Sequence, residues 1–548
     1  MTHSLQSITL GGFQVFDTPV EIPLGKISFL FGPNSAGKSA LSDALDIFSL
    51  LEPYFDIIPA EDVSKIIRRH YRSSDAGDLC ETMLISVKHE QFCRVDYSLC
   101  DTLGEAALAN DQSYGWDGFV QENRWHIRAW TEDELEDTGV TWEVDVDHEI
   151  HLNGLPFIKM HGFDAAKSSC THLEFFHTHP CVDPLLVNRW VDLATLATNP
   201  VRCTVSESSV QVRGSYIYQS YGMAEQAFNE YIYTMNKSPL PSEEWEFAYG
   251  SWMSLVNAAL GCVSLGNSAV RHEIVRASRK VPSPSEVTFF PVKLLSALNV
   301  ISPEVNSDPF YILLMQSLAM QCGLAPPTRP SPFLPKVSAE IAMRVNDALS
   351  GHLFIEKGYQ VKFESVATIV VNDDRVATVA GLEPGQERTE LSNGITRLHL
   401  ADAAMRRIEI EDVGSGIGYV IPALVSLCSD FANTSIIQQP ELHLHPALQA
   451  AVGDVVIEAV GRGKQTVIET HSEHLLLRIL KRIRQRASGR YAAEEVALDA
   501  DDVCVLYFLP QLDGTTAVKR LRLNQAGEFI DRWPNGFFSE RDDELFDE

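Results

Sequence analysis

The amino-acid sequence predicts an α/β fold whose parallel-sheet core is divided between two distant stretches of the chain. Three observations predict it. A complete G-x-x-x-x-G-K-S run, Gly32 to Ser39, lies between the apolar stretch Ile27 to Phe31 and a helix-like segment from Ala40 to Leu50. From Val337 onward, helix and strand patterns alternate. The residues expected to complete a site with the Gly32–Ser39 run lie beyond residue 410, so the chain between reads as an insertion.

Taken in order, Ser7 to Leu10, a Gly11-Gly12 turn and Phe13 to Ile22 read as a β-hairpin leading into the apolar strand. The run that follows is a phosphate-binding loop. Its glycines let the backbone curl, so that the Asn34, Ser35, Ala36 and Gly37 segment turns N–H groups toward an anion. Lys38 is placed to reach the β- and γ-phosphates of ATP or GTP, and the Ser39 hydroxyl to sit on Mg²⁺. A helix starting at Ala40 adds its positive dipole end.

Residues 81–160 are strand-like, with Met83 to Val87 and Thr141 to Val146 as examples. Residues 165–335 change character and carry helical patterns at Gly222 to Met235 and Glu243 to Leu260. The prolines 326, 327, 330, 332 and 335 mark a boundary or a stiff linker. The expected organisation has three parts. A lobe over 1–164 carries the phosphate loop and an antiparallel β subdomain. A mainly helical insertion over 165–335 is suited to partner contacts. A lobe over 336–548 completes the core and ends in an acidic tail, Glu540 to Glu548. A nucleotide core split in this way fits an ABC-type ATPase head better than a compact GTPase.

Three constellations follow in the second half. Asp412-Val413-Gly414-Ser415-Gly416-Ile417-Gly418 precedes an apolar helix-like run; Gly414, Ser415 and Gly416 offer N–H groups and a hydroxyl to an anion. Thr434-Ser435-Ile436-Ile437-Gln438-Gln439-Pro440-Glu441 is an apolar strand ending in polar residues, where a Walker B motif belongs. Pro446 then starts a helix at the position proline prefers, and Gly461 closes it. Finally, Thr466-Val467-Ile468-Glu469-Thr470-His471-Ser472 is a buried strand leading to His471, a candidate γ-phosphate partner and switch.

The composition bounds the partners. A net charge of −30 argues against a surface wholly given to nucleic acid, though not against a local basic patch. No apolar stretch approaches the ~20 residues of a bilayer-spanning helix. The residues Met1 to Gln6 lack the basic and apolar regions of a secretory signal. The ten cysteines form no C-x-x-C pair, so a cytoplasmic protein with reduced thiols is expected.

Together, GPNSAGKS, DVGSGIG, QQPELHLHP and ETHSEHL resemble the ABC-like AAA ATPases of bacterial defence operons, and in particular the ATPase subunit of Septu-type systems, some of them retron-associated. Trp533-Pro534-Asn535-Gly536-Phe537-Phe538-Ser539-Glu540 is similar to the C-terminal tail of one branch. The resemblance covers about residues 1–50 and 340–548. It implies ATP and Mg²⁺ as cofactors, with Ser39 and Gln438 at the magnesium position. It implies homodimers or higher oligomers, in which two heads sandwich ATP between the phosphate loop of one and the Gly414–Gly416 turn of the other. Further implied partners are a small HNH-type nuclease, and a reverse transcriptase with its non-coding nucleic acid. Related overcoming-lysogenisation-defect nucleases carry a Toprim domain after the head. The stretch after His471 is too short for one, so no nuclease is expected within the chain.

One departure matters. The resembled family ends its Walker B strand in acidic residues, the first organising Mg²⁺ and the next acting as general base. Here the positions hold Gln438 and Gln439; since some members of the resembled family read E-Q-P-E, Gln438 is the true departure. A glutamine amide brings no negative charge and accepts no proton near neutral pH. Three accounts stand: a slow natural ATPase using ATP as a clamp, an engineered glutamate-to-glutamine form at Gln438, or Glu441 supplying the missing carboxylate. The favoured reading is impaired hydrolysis, with nucleotide-dependent assembly controlling a separate effector nuclease. The competing class is a DNA-clamping repair ATPase, whose long heptad-patterned arms are not found here.

Two weaker signals remain. Cys170, His172, His177, His179 and Cys181 cluster without a standard zinc spacing. Arg478, Lys481, Arg482, Arg484 and Arg486 form a basic face that suits either phosphates or, more simply, internal salt bridges; Lys65, Arg68, Arg69 and Arg72 share that ambiguity.

Overall fold

The computed structural model describes residues 4–51, 67–72, 82–91, 119–130, 144–162, 169–170, 172–175, 201–204, 210–213, 216–218, 272–277, 334–372, 375–379, 391–430, 432–490 and 496–534. The chain divides into two units. One comprises Met1–Pro23, Ala40–Val270 and Pro510–Ala517; the other comprises Leu24–Ser39, Arg271–Leu509 and Val518–Glu548. The phosphate loop therefore belongs to the unit built mainly from the second half of the chain.

That second unit is organised by strands that are buried along their whole length around apolar centres. β3 (Ile27–Phe31), β18 (Thr434–Gln438) and β19 (Gln465–Glu469) are buried at every position. Continuous burial is what a parallel strand covered on both faces requires. With β13 (His272–Val275), β20 (Val503–Pro510) and β21 (Thr516–Leu521) they form a six-stranded sheet in the order β13-β18-β19-β3-β20-β21. Strand β3 is flanked by β19 and β20, both parallel to it. β13, from within 165–335, pairs in parallel with β18.

The helices Leu334–Asp347, Ser415–Cys428, Pro446–Gly461 and Glu473–Ala487 follow the alternation read from Val337 onward. Pro446 occupies the first turn of its helix and Gly461 ends it. Ile479, Leu480 and Ile483 of the last helix join Val452, Val455 and Ala459 in one core with Phe29, Ile437 and Ile468. Trp533 packs edge-on against Phe31, Tyr507 and Phe529, at ring-centroid distances of 5.2, 6.3 and 5.0 Å. Pro335 lies in the first turn of its helix, where proline loses nothing, rather than in a linker. The other clustered prolines lie outside the described residues. A four-stranded antiparallel sheet of β14 (Gln360–Asn372), β15 (Arg375–Val379), β16 (Leu391–Ala401) and β17 (Arg407–Ile408) completes the unit.

The first unit contains the antiparallel sheet expected of the N-terminal region. Its strands are β1 (Ser4–Gly11), β2 (Val20–Pro23), β4 (Thr82–Gln91), β5 (Phe119–Ala129), β6 (Val144–Leu152), β7 (Leu155–His161), β9 (His172–Phe175) and β10 (Val201–Thr204). They lie in the order β10-β9-β7-β6-β5-β4-β1-β2. The opening hairpin is shorter than read: its second strand begins at Val20, not Phe13. Phe13 and Phe16 turn inward and bridge each other instead, closing a buried turn whose apolar pattern resembles that of a strand.

A smaller sheet joins β8 (Ser169–Cys170), β11 (Val210–Arg213) and β12 (Tyr216–Tyr218). Cys170 and His172 thus stand in different sheets. His177, His179 and Cys181 lie outside the described residues, as do the helical patterns at 222–235 and 243–260. Among the described residues, no helix is long and apolar enough to cross a membrane.

Gly32 leaves β3 with φ +143°, and a Cβ there would meet the Phe508 carbonyl oxygen of β20 at 2.6 Å. Both the conformation and the approach require glycine. Gly32→Ala is expected to destabilise the protein by about 1–3 kcal/mol, read as a lower unfolding midpoint in denaturant; an unchanged midpoint would count against this packing.

Candidate functional site

The phosphate loop hangs from the C-terminal end of β3, the end at which parallel α/β sheets place ligands. Pro33, Asn34 and Ser35 are exposed, whereas Ala36 and Lys38 are buried. Ser35 and Gly37 adopt φ of +63° and +81°. The Ala36 N–H closes the turn on the Pro33 carbonyl at 3.3 Å. Lys38 is 4% exposed and folds back across the loop, donating to the carbonyls of Gly32 at 3.0 Å and Pro33 at 2.8 Å. Burial lowers its pKa below the ordinary lysine value, and the negative charge of Glu469 works against that shift.

Sequence reasoning passed over Glu469 as one more residue of a strand leading to His471. Its side chain is 8% exposed and accepts the Ser39 hydroxyl proton at 3.0 Å. Sheet order brings the two together. β19 lies beside β3, about 4.8 Å away at ordinary strand spacing, while β18 is two strands out, about 9.6 Å. The signal available in the sequence was an acidic residue directly after the apolar Val467-Ile468 pair of a strand expected to be buried, since a buried carboxylate needs a partner.

Gln438 stands beside Glu469 in the parallel register. Its amide oxygen accepts the Ala277 N–H beyond β13 at 3.1 Å. Gln439 leaves the strand with φ +48°, and its N–H bonds the Glu469 carbonyl at 2.6 Å. Glu441 is 9% exposed, and one carboxylate oxygen accepts the His471 N–H at 2.8 Å. Its charge thus braces the segment leaving β19, a role the sequence did not suggest.

His471 follows Thr470, whose N–H bonds the Leu30 carbonyl of β3 at 3.2 Å. Its Nε2 is buried and has no hydrogen-bond partner among the described residues. Burial first, and the positive charge of Lys38 second, hold its pKa below the ordinary histidine value. Ser472 then caps the next helix by accepting the Leu475 N–H at 3.2 Å, and its hydroxyl donates to Gln449 at 2.7 Å.

The Gly414–Gly416 turn opens the helix Ser415–Cys428, with Gly414 exposed at the N-cap. Gly416 has a packing reason of its own: a Cβ would meet the His443 carbonyl oxygen at 2.6 Å. The Tyr419 and His443 rings lie 4.9 Å apart. This turn is therefore built against the segment that follows β18. Gly414 faces open space, and a Cβ added there would meet nothing within 4 Å among the described residues.

The donor set fits a nucleoside triphosphate with a divalent cation. It combines a buried ammonium on loop carbonyls, a hydroxyl hydrogen-bonded to a carboxylate, and a buried histidine nitrogen awaiting a donor or acceptor. The basic helix resolves differently. Arg478 and Arg482 both bind Asp454, at 2.5 and 3.1 Å, Arg486 pairs with Asp499 and Arg484 donates to the Gly527 carbonyl. These are the internal ion pairs of a solvated face. Arg72 likewise pairs with Asp17.

No protein-family model matches the chain, and no curated protein does. Among solved structures it is similar to an Smc head bound to the C-terminal winged-helix domain of ScpA, at 12% identity and a TM-score of 0.39, over 95% of this chain and 98% of that one. A Pyrococcus furiosus Smc head with an extended coiled coil, bound to the C-terminal domain of ScpA, gives 10% and 0.38 over 95% and 96%. A Pyrococcus yayanosii Smc head with a coiled coil and joint gives 12% and 0.36 over 96% and 98%. Similarity at this level says nothing about what the present chain binds.

Histidine 471 gives a pH dependence with a definite sign. Its folded pKa is depressed, so the native state keeps the ring neutral while the unfolded chain takes up a proton near 6.5. Stability from this group is fully present above that value and is lost as pH falls below it toward the folded pKa. His471→Gln is expected to flatten the loss of stability between pH 6.5 and 5 in chemical unfolding; an identical slope in the variant would refute this.

Proposed function

We propose that this chain is an ATP-binding subunit of ABC type, whose heads assemble on nucleotide and so control a separate effector, with slow turnover. The observation that carries the reading is the loop itself: Lys38 buried on its carbonyls, Ser39 bonded to Glu469, and the buried His471 nitrogen within the field of Lys38. When bound, ATP with its divalent cation supplies the charge that bridges two heads. Lys38 would exchange loop carbonyls for phosphate oxygens, and the 34–37 backbone would present its N–H groups. Asn34 and Ser35 are exposed and so open to a partner surface. Gly414, exposed at a helix N-terminus, would meet the nucleotide held by a second copy.

Slow turnover is supported by the side chains at the end of β18. Gln439 offers an amide where a base belongs, and the Glu441 carboxylate is engaged with the His471 backbone. The effector, a small HNH-type nuclease, rests on the likeness of the four motifs to Septu-type ATPase subunits. The arginines of the Glu473–Ala487 helix, taken up by Asp454 and Asp499, weigh against direct clamping of DNA by that face.

Light scattering on the purified chain tests the assembly. The expected mass is near 60.9 kDa without nucleotide and at least double with ATP and Mg²⁺, while Lys38→Ala stays at the smaller value. A wild type that binds ATP without changing mass would sink the assembly reading. For turnover, Gln439→Glu restores a proton acceptor and is expected to raise the steady-state rate of phosphate release by about 10²-fold or more. No increase would mean that the missing base is not what limits the rate.

A further inference from the structure

The geometry points to Glu469 as the carboxylate that orients a divalent cation at the phosphate loop, the position that the sequence assigns to Gln438. This inference rests on the nucleotide reading above and deepens it.

Its foundation is the bond from the Ser39 hydroxyl to Glu469 Oε2, 3.0 Å long and formed between residues 430 apart in sequence. A hydroxyl has one proton and two lone pairs. With the proton committed to a carboxylate, the oxygen is left as a donor atom of raised basicity. Such outer partners fix the orientation of metal ligands and strengthen their hold on the ion. Glu469 therefore treats Ser39 as a metal ligand's supporting carboxylate would.

Three further observations separate this role from a simple loop cap. Glu469 is 8% exposed, and a carboxylate so deeply placed is costly unless it is paired and hydrogen-bonded, as this one is by the Ser39 hydroxyl and the charge of Lys38. Lys38 acts on that charge through its field and not by a direct bond, since it donates to the Gly32 and Pro33 carbonyls. Glu469 is also held from both sides: its carbonyl accepts the Gln439 N–H at 2.6 Å, and Thr470 N–H bonds Leu30 at 3.2 Å. The carboxylate is thus presented from a fixed strand end beside β3, whereas Gln438 is neutral and turns its oxygen to Ala277.

The test is a fluorescence titration of the full chain with a labelled ATP analogue, in Mg²⁺ and in EDTA, together with the Mn²⁺ resonance of the nucleotide complex. Wild type is expected to bind the analogue more tightly in Mg²⁺. Glu469→Gln, which keeps the side-chain size and an acceptor for Ser39, is expected to retain the EDTA affinity. It should lose about 10–100-fold in affinity for the cation, with bound Mn²⁺ falling in step. Glu469→Asp, which withdraws the charge by one methylene, is expected to fall between the two and carries the comparison should the Gln variant not fold. Variants with the whole Mg²⁺ increment intact would reduce Glu469 to a loop cap and leave the nucleotide reading standing. A wild type that binds the analogue in neither condition would remove both.

Discussion

Strand β3 has no neighbour of its own region. Ile27–Leu30 pair with Thr466–Glu469 on one side and Ile27–Phe31 with Val503–Tyr507 on the other, and this double pairing is the constraint on which the site depends. Smaller contacts reinforce it. The Gln465 amide donates to the Gly25 carbonyl, Lys26 pairs with Asp502, and Trp533 packs against Phe31. The loop inherits its position from these partners, because Gly32 leaves the strand pressed against Phe508. The entropic cost of closing so long a stretch of chain grows only as the logarithm of its length. Full burial of three strands with apolar centres offsets it.

The charges at the loop form a balanced set. Lys38 and Glu469 are both buried, and each would be expensive there without the other nearby. The positive field of Lys38 helps to keep His471 neutral, so its unprotonated nitrogen is available for a hydrogen bond rather than a charge. Glu441 stands apart from this exchange. By gripping the His471 N–H it ties the turn after β18 to the exit of β19. On its other flank that turn meets Gly416 through the His443 carbonyl. The C-terminal end of β19 is therefore linked through these contacts to the helix that begins at Ser415.

What could be read from the sequence was local. The phosphate loop, the alternation after Val337, and the helix bounded by Pro446 and Gly461 all announce themselves within a few residues, and each is present. Sheet order is not local. Nothing near Glu469 says that β19 lies between β18 and β3, so the pattern points to Gln438 and leaves the carboxylate bonded to Ser39 hidden. The arginines of the last helix are read from the sequence as forming internal salt bridges, and they do; only their partners, Asp454 and Asp499, lie too far along the chain to be named locally. Phe13 and Phe16 misled in the opposite sense, because an apolar pattern cannot distinguish a strand from a tight buried turn.

The separation of β3 from its partners also sets a timetable during synthesis. At about 5–20 residues per second, the ribosome needs roughly 20–90 s to make the 430 residues between Ser39 and Glu469. For that interval the loop sequence exists without the strands that shape it. A nascent or broken chain thus carries the motif but not the pocket. Closure of the loop against Glu469 is therefore a late event, reached only once β19 has been made.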